Sequence, residues 1–148
     1  MIKMATDIEK LKDPSNIKEA EFASTPYVLR KVFESDPLVQ RLIRNGHKLA
    51  PLIKQEIENS TKRLPEITLA CMTYILYKVD PEAAVPVLLP IIESGVERPG
   101  PFSVHFAAHF VRLQLGLPTR PQVMAYNGAE LAQTLQMFRK VKTATREK

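Results

Sequence analysis

The stretch PEITLACMTYILYKVDPEAAVPVLLPIIESG, residues 65–95, decides the fold class of this chain. Its first half, from Ile67 to Val79, is apolar on almost all sides, which is typical of a helix packed between neighbours. Asp80-Pro81 follows, an N-cap residue with proline at the first helical position, where its missing N–H has no consequence. The stretch therefore predicts two antiparallel helices, 65–78 and 81–94, separated by a tight turn.

The same start and stop signals recur along the rest of the chain. Three dipeptides that end in proline mark helix starts: Thr25-Pro26, Asp36-Pro37 and Leu64-Pro65. The spacing of Thr6-Asp7-Ile8-Glu9 is that of a capping box and marks another start. Glycine marks the stops, at Asn45-Gly46, Ser94-Gly95 and Gly116. No segment shows sustained strand alternation, so the fold class is all-α. The predicted helices are 6–12, 17–23, 26–34, 37–45, 48–59, 65–78, 81–94, 102–115, 121–126 and 129–142.

Two prolines lie inside the second helix of the opening stretch. Pro86 and Pro90 each remove a helical hydrogen bond and crowd the preceding turn, at about 3 kcal/mol for an interior proline. We therefore expect either a kink in this helix or a short turn over 81–85 followed by a new helix from residue 86.

An internal repeat is the most specific pattern in the chain. Leu49-Ala50-Pro51-Leu52-Ile53 recurs as Leu88-Leu89-Pro90-Ile91-Ile92, 39 residues later. Ile67-Thr68-Leu69-Ala70-Cys71 recurs as Val104-His105-Phe106-Ala107-Ala108, 37 residues later. Each unit is a proline-containing helix followed by a second helix with small residues near its start. Such a unit cannot bury its apolar face alone, so the two are predicted to stack.

These units resemble the HEAT family of helical repeats over about residues 47–116. The resemblance implies a short right-handed α-solenoid of stacked antiparallel helix pairs; an irregular helical bundle is the alternative. Thr68 and His105 stand where that family often carries arginine, so its usual polar ladder between repeats is absent or replaced. The prediction is one domain over 1–148, with its core at about 24–142 and a basic tail at 143–148.

The composition bears on two properties: the cellular compartment of the protein and whether it binds negatively charged partners. The 148 residues carry a net charge of +5, and three of the five excess charges fall in the last 28 residues. Cys71, the one cysteine, lies in an apolar run and is expected to be a buried, inert thiol. No signal peptide and no apolar run of ~20 residues is evident, which predicts a cytoplasmic protein with no membrane segment.

Few residues of the sequence match a metal-binding or catalytic motif. His105 and His109 have the i, i+4 spacing of zinc ligands, but Phe106 stands where a metalloprotease has glutamate, and no third ligand lies nearby in sequence. No nucleophile elbow or phosphate loop is present. The prediction is therefore no catalytic residue, no metal and no cofactor, and a protein that is not an enzyme.

The leading functional hypothesis is a protein-interaction or scaffold module that binds another protein on the wall formed by its stacked second helices. The residues expected on this wall are Arg41, Arg44, Tyr77, Lys78, His105, His109 and Arg112. The alternative is binding of a nucleic-acid backbone by a basic helix face. The cations of that face are Arg30, Lys31, Arg41, Arg44, Lys48, Lys54, Lys62 and Arg63. The oligomeric state is left open.

Overall fold

The computed structural model describes residues 2–60 and 63–146, and over these ranges the chain is all-α with no β-strand. None of the described helices is both long and apolar enough to cross a membrane. Three 3₁₀ turns, at Pro14–Asn16, Ala20–Phe22 and Gly46–Leu49, complete the secondary structure. The eight described α-helices are α1 (Ile2–Leu11), α2 (Pro26–Ser35), α3 (Pro37–Ile43), α4 (Ala50–Ser60), α5 (Glu66–Val79), α6 (Pro81–Gly95), α7 (Phe102–Leu115) and α8 (Gly128–Arg146).

Helix capping confirms three of the predicted starts. The Thr25 hydroxyl accepts a hydrogen bond from the Val28 N–H at 3.2 Å and begins α2. Asp36 caps α3 by accepting from two backbone N–H groups, at 2.9 and 3.1 Å. Asp80 caps α6 through a 3.2 Å bond from the Ala83 N–H. Each side-chain oxygen satisfies a donor that the first helical turn leaves free.

Four predicted elements differ from the structure. The helix predicted over 121–126 is wrong: this segment is a turn and a loop, and Met124 has a φ of +53°, which an α-helix cannot contain. The helix predicted over 17–23 shrinks to a 3₁₀ turn that follows Glu19, at φ +70°. The predicted capping box at Thr6 lies inside α1, and α8 continues to Arg146 rather than ending at 142.

Pro86 and Pro90 do not divide α6. A single α-helix runs from Pro81 to Gly95 with both prolines inside it. Of the two predicted alternatives, the new helix from residue 86 is therefore wrong, and the kink stays a prediction. Both prolines are exposed, which places their rings on the solvent side and leaves the backbone oxygens they fail to pair within reach of water. The apolar side chains of α6, among them Leu88 and Ile92, still reach the core.

Helices α5 and α7 lie side by side in the same direction. At their starts, the Ser103 N–H donates to Glu66 Oε1 at 2.7 Å; near their ends, the Tyr77 hydroxyl donates to Gln114 Oε1 at 3.3 Å. Both pairs are separated by 37 residues, the offset of the sequence repeat. Helix α6 runs antiparallel between their ends, and its Gly95 lies so close to Val104 that a Cβ there would clash.

Helix α2 covers the face that α5 and α7 share. Its Phe33, fully buried, lies 5.6 Å from the ring of Tyr74 on α5 and 5.6 Å from the ring of Phe106 on α7. Helix α3 also contacts α5, and ten of the 14 residues of α5 are buried. Cys71 is among them, as expected, and burial raises the pKa of its thiol well above the usual value. The helix contacts are therefore not limited to successive pairs.

Candidate functional site

His105 and His109, the candidate zinc pair, lie inside the protein and bind a loop. His109 Nδ1 is 2.7 Å from the hydroxyl of Tyr126, and the Tyr126 N–H donates to His105 Nδ1 at 3.1 Å. Burial lowers the pKa of both imidazoles, that of His109 to about 4. Both rings are therefore neutral at pH 7, so His105 accepts the loop N–H and His109 can accept the tyrosine proton.

Arg112, one turn after His109, fixes the last helix. Its guanidinium is 97% buried and donates to the Pro118 oxygen at 2.8 Å and to the Thr134 hydroxyl at 3.1 Å. It also donates to the Glu130 backbone oxygen and the Gln133 side chain, at 3.3 and 3.1 Å. One α7 side chain thus joins the 117–127 loop to α8, and we call His105, His109, Arg112 and Tyr126 the α7 anchor.

An ion pair closes the outer side of this loop. Arg120 holds both carboxylate oxygens of Glu130 at 2.6 and 2.7 Å, and lowers the pKa of that carboxyl to about 2. Glu130 and Asn127 also form a reciprocal capping box at the start of α8, with bonds of 3.0 and 2.8 Å. This capping box was not among the predicted helix starts, although the Asn-x-x-Glu spacing before Leu131 is visible in the sequence.

The other four predicted wall residues do not share a surface with the α7 anchor. Arg41 forms two bonds of 2.8 and 2.9 Å to Asp7 and so ties α3 to α1. Tyr77 stacks on Phe110 with ring centroids 4.5 Å apart. Lys78 and Arg44 are exposed. With α2 lying across α5 and α7, the seven residues do not form one open wall.

Three of the eight cations of the predicted basic face lie beside neighbouring carboxylates. Arg30 and Lys31 lie 3.5 and 3.6 Å from the Glu34 carboxylate, and Arg41 is held by Asp7. Lys62 lies outside the described residues. Within the described part of the chain, no ion pair is formed by the exposed side chains of Arg44, Lys48, Lys54 and Arg63. These four are what remains of the basic face.

Two open grooves lie at opposite ends of the α4–α7 helices. The first, the α1–α4 groove, has a volume of about 550 Å³ and lies where α4 begins; its lining residues are Met4, Asn45, Lys48, Pro51 and Leu52. The second, the α6 groove, has a volume of about 410 Å³ and lies where α5 and α7 begin. Its lining residues are Glu66, Leu69, Pro90, Ile91, Ser94, Pro101, Ser103 and Val104. Both are of the size that proteins use for small ligands or a few side chains of a partner.

Histidine, cysteine and acidic side chains are the usual protein ligands of metal ions. Among the described residues, no three or more histidine, cysteine or acidic side chains are grouped so as to hold a metal ion. The two histidines with shifted pKa values already have internal partners. Comparisons with protein-family models, with curated proteins and with solved structures each found no match. The function is therefore argued from the geometry alone.

Proposed function

We propose that this chain is a non-enzymatic protein-interaction module built from stacked, HEAT-like helix pairs. The observation that carries the proposal is the contact between α5 and α7 at both of their ends, with partners 37 residues apart in each case. The sequence repeat has the same offset. Equivalent positions of the two sequence repeats therefore contact each other, as they do when repeated units stack. Stacked units of this kind serve as binding scaffolds in solenoid proteins.

The first helices of the two units support the same stacking. Helices α4 and α6 contact each other, as α5 and α7 do, and each first helix packs on its own second helix. Within this scheme α4–α5 and α6–α7 are successive pairs of a short right-handed α-solenoid. Helix α2 lies across the second helices α5 and α7, α3 packs on α5, and α1 packs on α3; α8 packs on α6 and α7.

Partner binding, on this proposal, uses the grooves and not the wall of second helices. Phe33 of α2 already fills the space between Tyr74 and Phe106. The α1–α4 and α6 grooves remain open and combine apolar floors with polar rims, the usual composition of a protein-binding surface. Of the predicted binding residues, Arg44 is exposed and adjoins Asn45 of the α1–α4 groove.

The test is reconstitution of a complex from purified components. A partner captured on the tagged full chain is expressed separately, and the mixture is measured by size-exclusion chromatography with light scattering. We expect a stoichiometric complex that is weakened by Lys48→Glu or Ser94→Arg, one change in each groove, and unaffected by Lys140→Glu on exposed α8 surface. A complex that is insensitive to both groove variants would contradict the proposal, as would the failure of every candidate to form one.

Binding of a nucleic-acid backbone is a second candidate, favoured by one observation. Arg44, Lys48, Lys54 and Arg63 are exposed and not compensated by neighbouring carboxylates in the described chain. Four phosphate contacts predict that the logarithm of the duplex-DNA binding constant falls against log salt with a slope of about −4. Fluorescence anisotropy with duplex and single-stranded DNA, starting at ~50 mM salt, measures this slope. No retention of either DNA at the lowest salt would exclude this candidate.

A further inference from the structure

We propose that the α1–α4 groove binds an acidic, amphipathic segment of a partner protein. This inference rests on the protein-interaction function proposed above and names the class of partner for one of its two grooves. Two independent features carry it: the unbalanced positive charge at the groove, and an apolar floor that a phosphate backbone cannot fill.

Three carboxylates on the elements that form the groove are bound by other cations. On α1, Asp7 is held by Arg41 and Glu9 by Lys12, with N···O distances of 2.8 and 2.7 Å. On α4, Glu56 lies 3.2 Å from the same lysine, which is thus shared between two carboxylates.

The remaining acidic groups do not neutralise the groove either. Asp80 caps α6 and lies 3.6 Å from His47, and Glu58, one turn beyond Lys54, forms no ion pair with it in the described structure. Lys48 therefore lines the groove as an uncompensated cation, with Arg44 next to the lining residue Asn45. A segment that carries Asp or Glu at its edges would complete these charges, which favours association and selects against basic partners.

Apolar side chains form the floor of the α1–α4 groove. Met4, Pro51 and Leu52 supply a thioether, a ring and an isobutyl group around a volume of about 550 Å³. Pro51 and Lys48 are three residues apart, so the apolar contact and the cation lie on one side of the chain where α4 begins. Aliphatic side chains of an amphipathic segment can fill this floor while their acidic neighbours reach the lysine. DNA or RNA would meet the cations and leave the apolar floor empty.

The experiment uses the full chain and two designed peptides. Both are amphipathic, about 14 residues or four helical turns long, with the same leucine positions; the polar positions are glutamate in one and lysine in the other. Fluorescence anisotropy measures their binding at ~50 and ~300 mM salt, with a single-stranded oligonucleotide as a third probe. Lys48→Glu and Pro51→Glu test the rim and the floor, and Lys140→Glu is the matched charge reversal on α8. Circular dichroism checks that each variant is folded.

The expected result is selective binding of the acidic peptide. Its affinity should fall at least ~10-fold with Lys48→Glu and with Pro51→Glu, and should be unchanged with Lys140→Glu. Equal binding of the two peptides, or an oligonucleotide that binds more tightly and loses affinity only with Lys48→Glu, would overturn the inference in favour of non-selective or phosphate binding. No binding of the acidic peptide, alongside a reconstituted complex sensitive to Ser94→Arg, would overturn this inference and leave the proposed function standing.

Discussion

Arg112 shows how a single residue can look like part of a binding surface and instead hold the fold together. The sequence places it on the same helical face as His105 and His109, a few residues before the glycine that ends α7. The structure buries it and gives its guanidinium four hydrogen bonds to the 118–134 region. A buried cation with several partners is costly to replace, because each partner loses its donor.

Replacing Arg112 by methionine is expected to lower the free energy of unfolding by about 2–4 kcal/mol, because Pro118 O and Thr134 Oγ1 lose a buried donor. Urea unfolding followed by circular dichroism measures this. Leu113→Ala is the matched control on the same helix, since Leu113 is 46% exposed, and should change the stability far less. Equal effects of the two substitutions would show that Arg112 does not anchor α8.

The α7 anchor also predicts how stability depends on pH. His109 has a pKa of about 4 in the folded protein and about 6.5 when unfolded, so the unfolded chain binds more protons between these values. Stability should therefore fall as the pH is lowered from 6.5 towards 4, by at most about 3 kcal/mol for this group.

Unfolding of the wild type and of His109→Phe between about pH 7 and pH 5, above the range in which carboxylates titrate, measures the effect. The variant should be less stable at pH 7 because the Tyr126 hydroxyl loses the acceptor of its proton, yet show a shallower loss on acidification. His105, whose pKa is also lowered, supplies the slope that remains. Identical slopes for the two proteins would contradict the assignment of a neutral, buried His109.

At the scale of helices, the close approach of α6 and α7 depends on Gly95. Its Cα lies against the side chain of Val104, so an added methyl group must displace that side chain. Gly95→Ala is expected to cost about 1–3 kcal/mol of stability, as overpacking does in cores. Gly100→Ala is the control, since a Cβ there meets nothing within 4 Å.

Thermal unfolding of the single variants and of Gly95→Ala combined with Val104→Ala measures this contact. The second change makes room for the new methyl group, so the combined loss should be smaller than the sum of the two separate losses. Strict additivity of the two effects would mean that the helices do not meet at this point.

Local signals account for the elements that the sequence predicted. Thr25, Asp36 and Asp80 cap the helices they were expected to begin, because a cap and its helix are neighbours in the chain. The helix predicted over 121–126 is wrong, although Pro121 resembles a helix start. Met124 adopts a left-handed conformation, and Tyr126 is bonded to the two histidines of α7. Long-range bonds there override the local preference.

The candidate site was predictable only in part. The i, i+4 spacing of His105 and His109 is visible in the sequence, but their burial depends on Tyr126, more than fifteen residues further along. Arg41 has no signal that it binds Asp7, 34 residues earlier. The α1–α4 groove could not be predicted at all, because Met4 and Leu52 meet only after the chain has folded.

Over the whole molecule, the positive charge is distributed differently from what composition suggests. A net charge of +5 indicates a polyanion-binding protein, yet Arg30, Lys31 and Arg41 are matched by carboxylates. What remains near the start of α4 is a small set of cations beside an apolar floor. The α1–α4 groove is therefore the proposed binding surface, whereas His105, His109 and Arg112 bind the 117–127 loop and α8.

Backbone hydrogen exchange on the full chain, with and without a saturating amount of the acidic peptide, locates the binding surface. We expect slower exchange in α1 and over residues 44–54, with no change in the 117–127 loop or in α8. Exchange that slows instead around the α6 groove, or in α8 and the α7 anchor, would contradict the placement of the binding surface. No change anywhere under saturating peptide would contradict it equally.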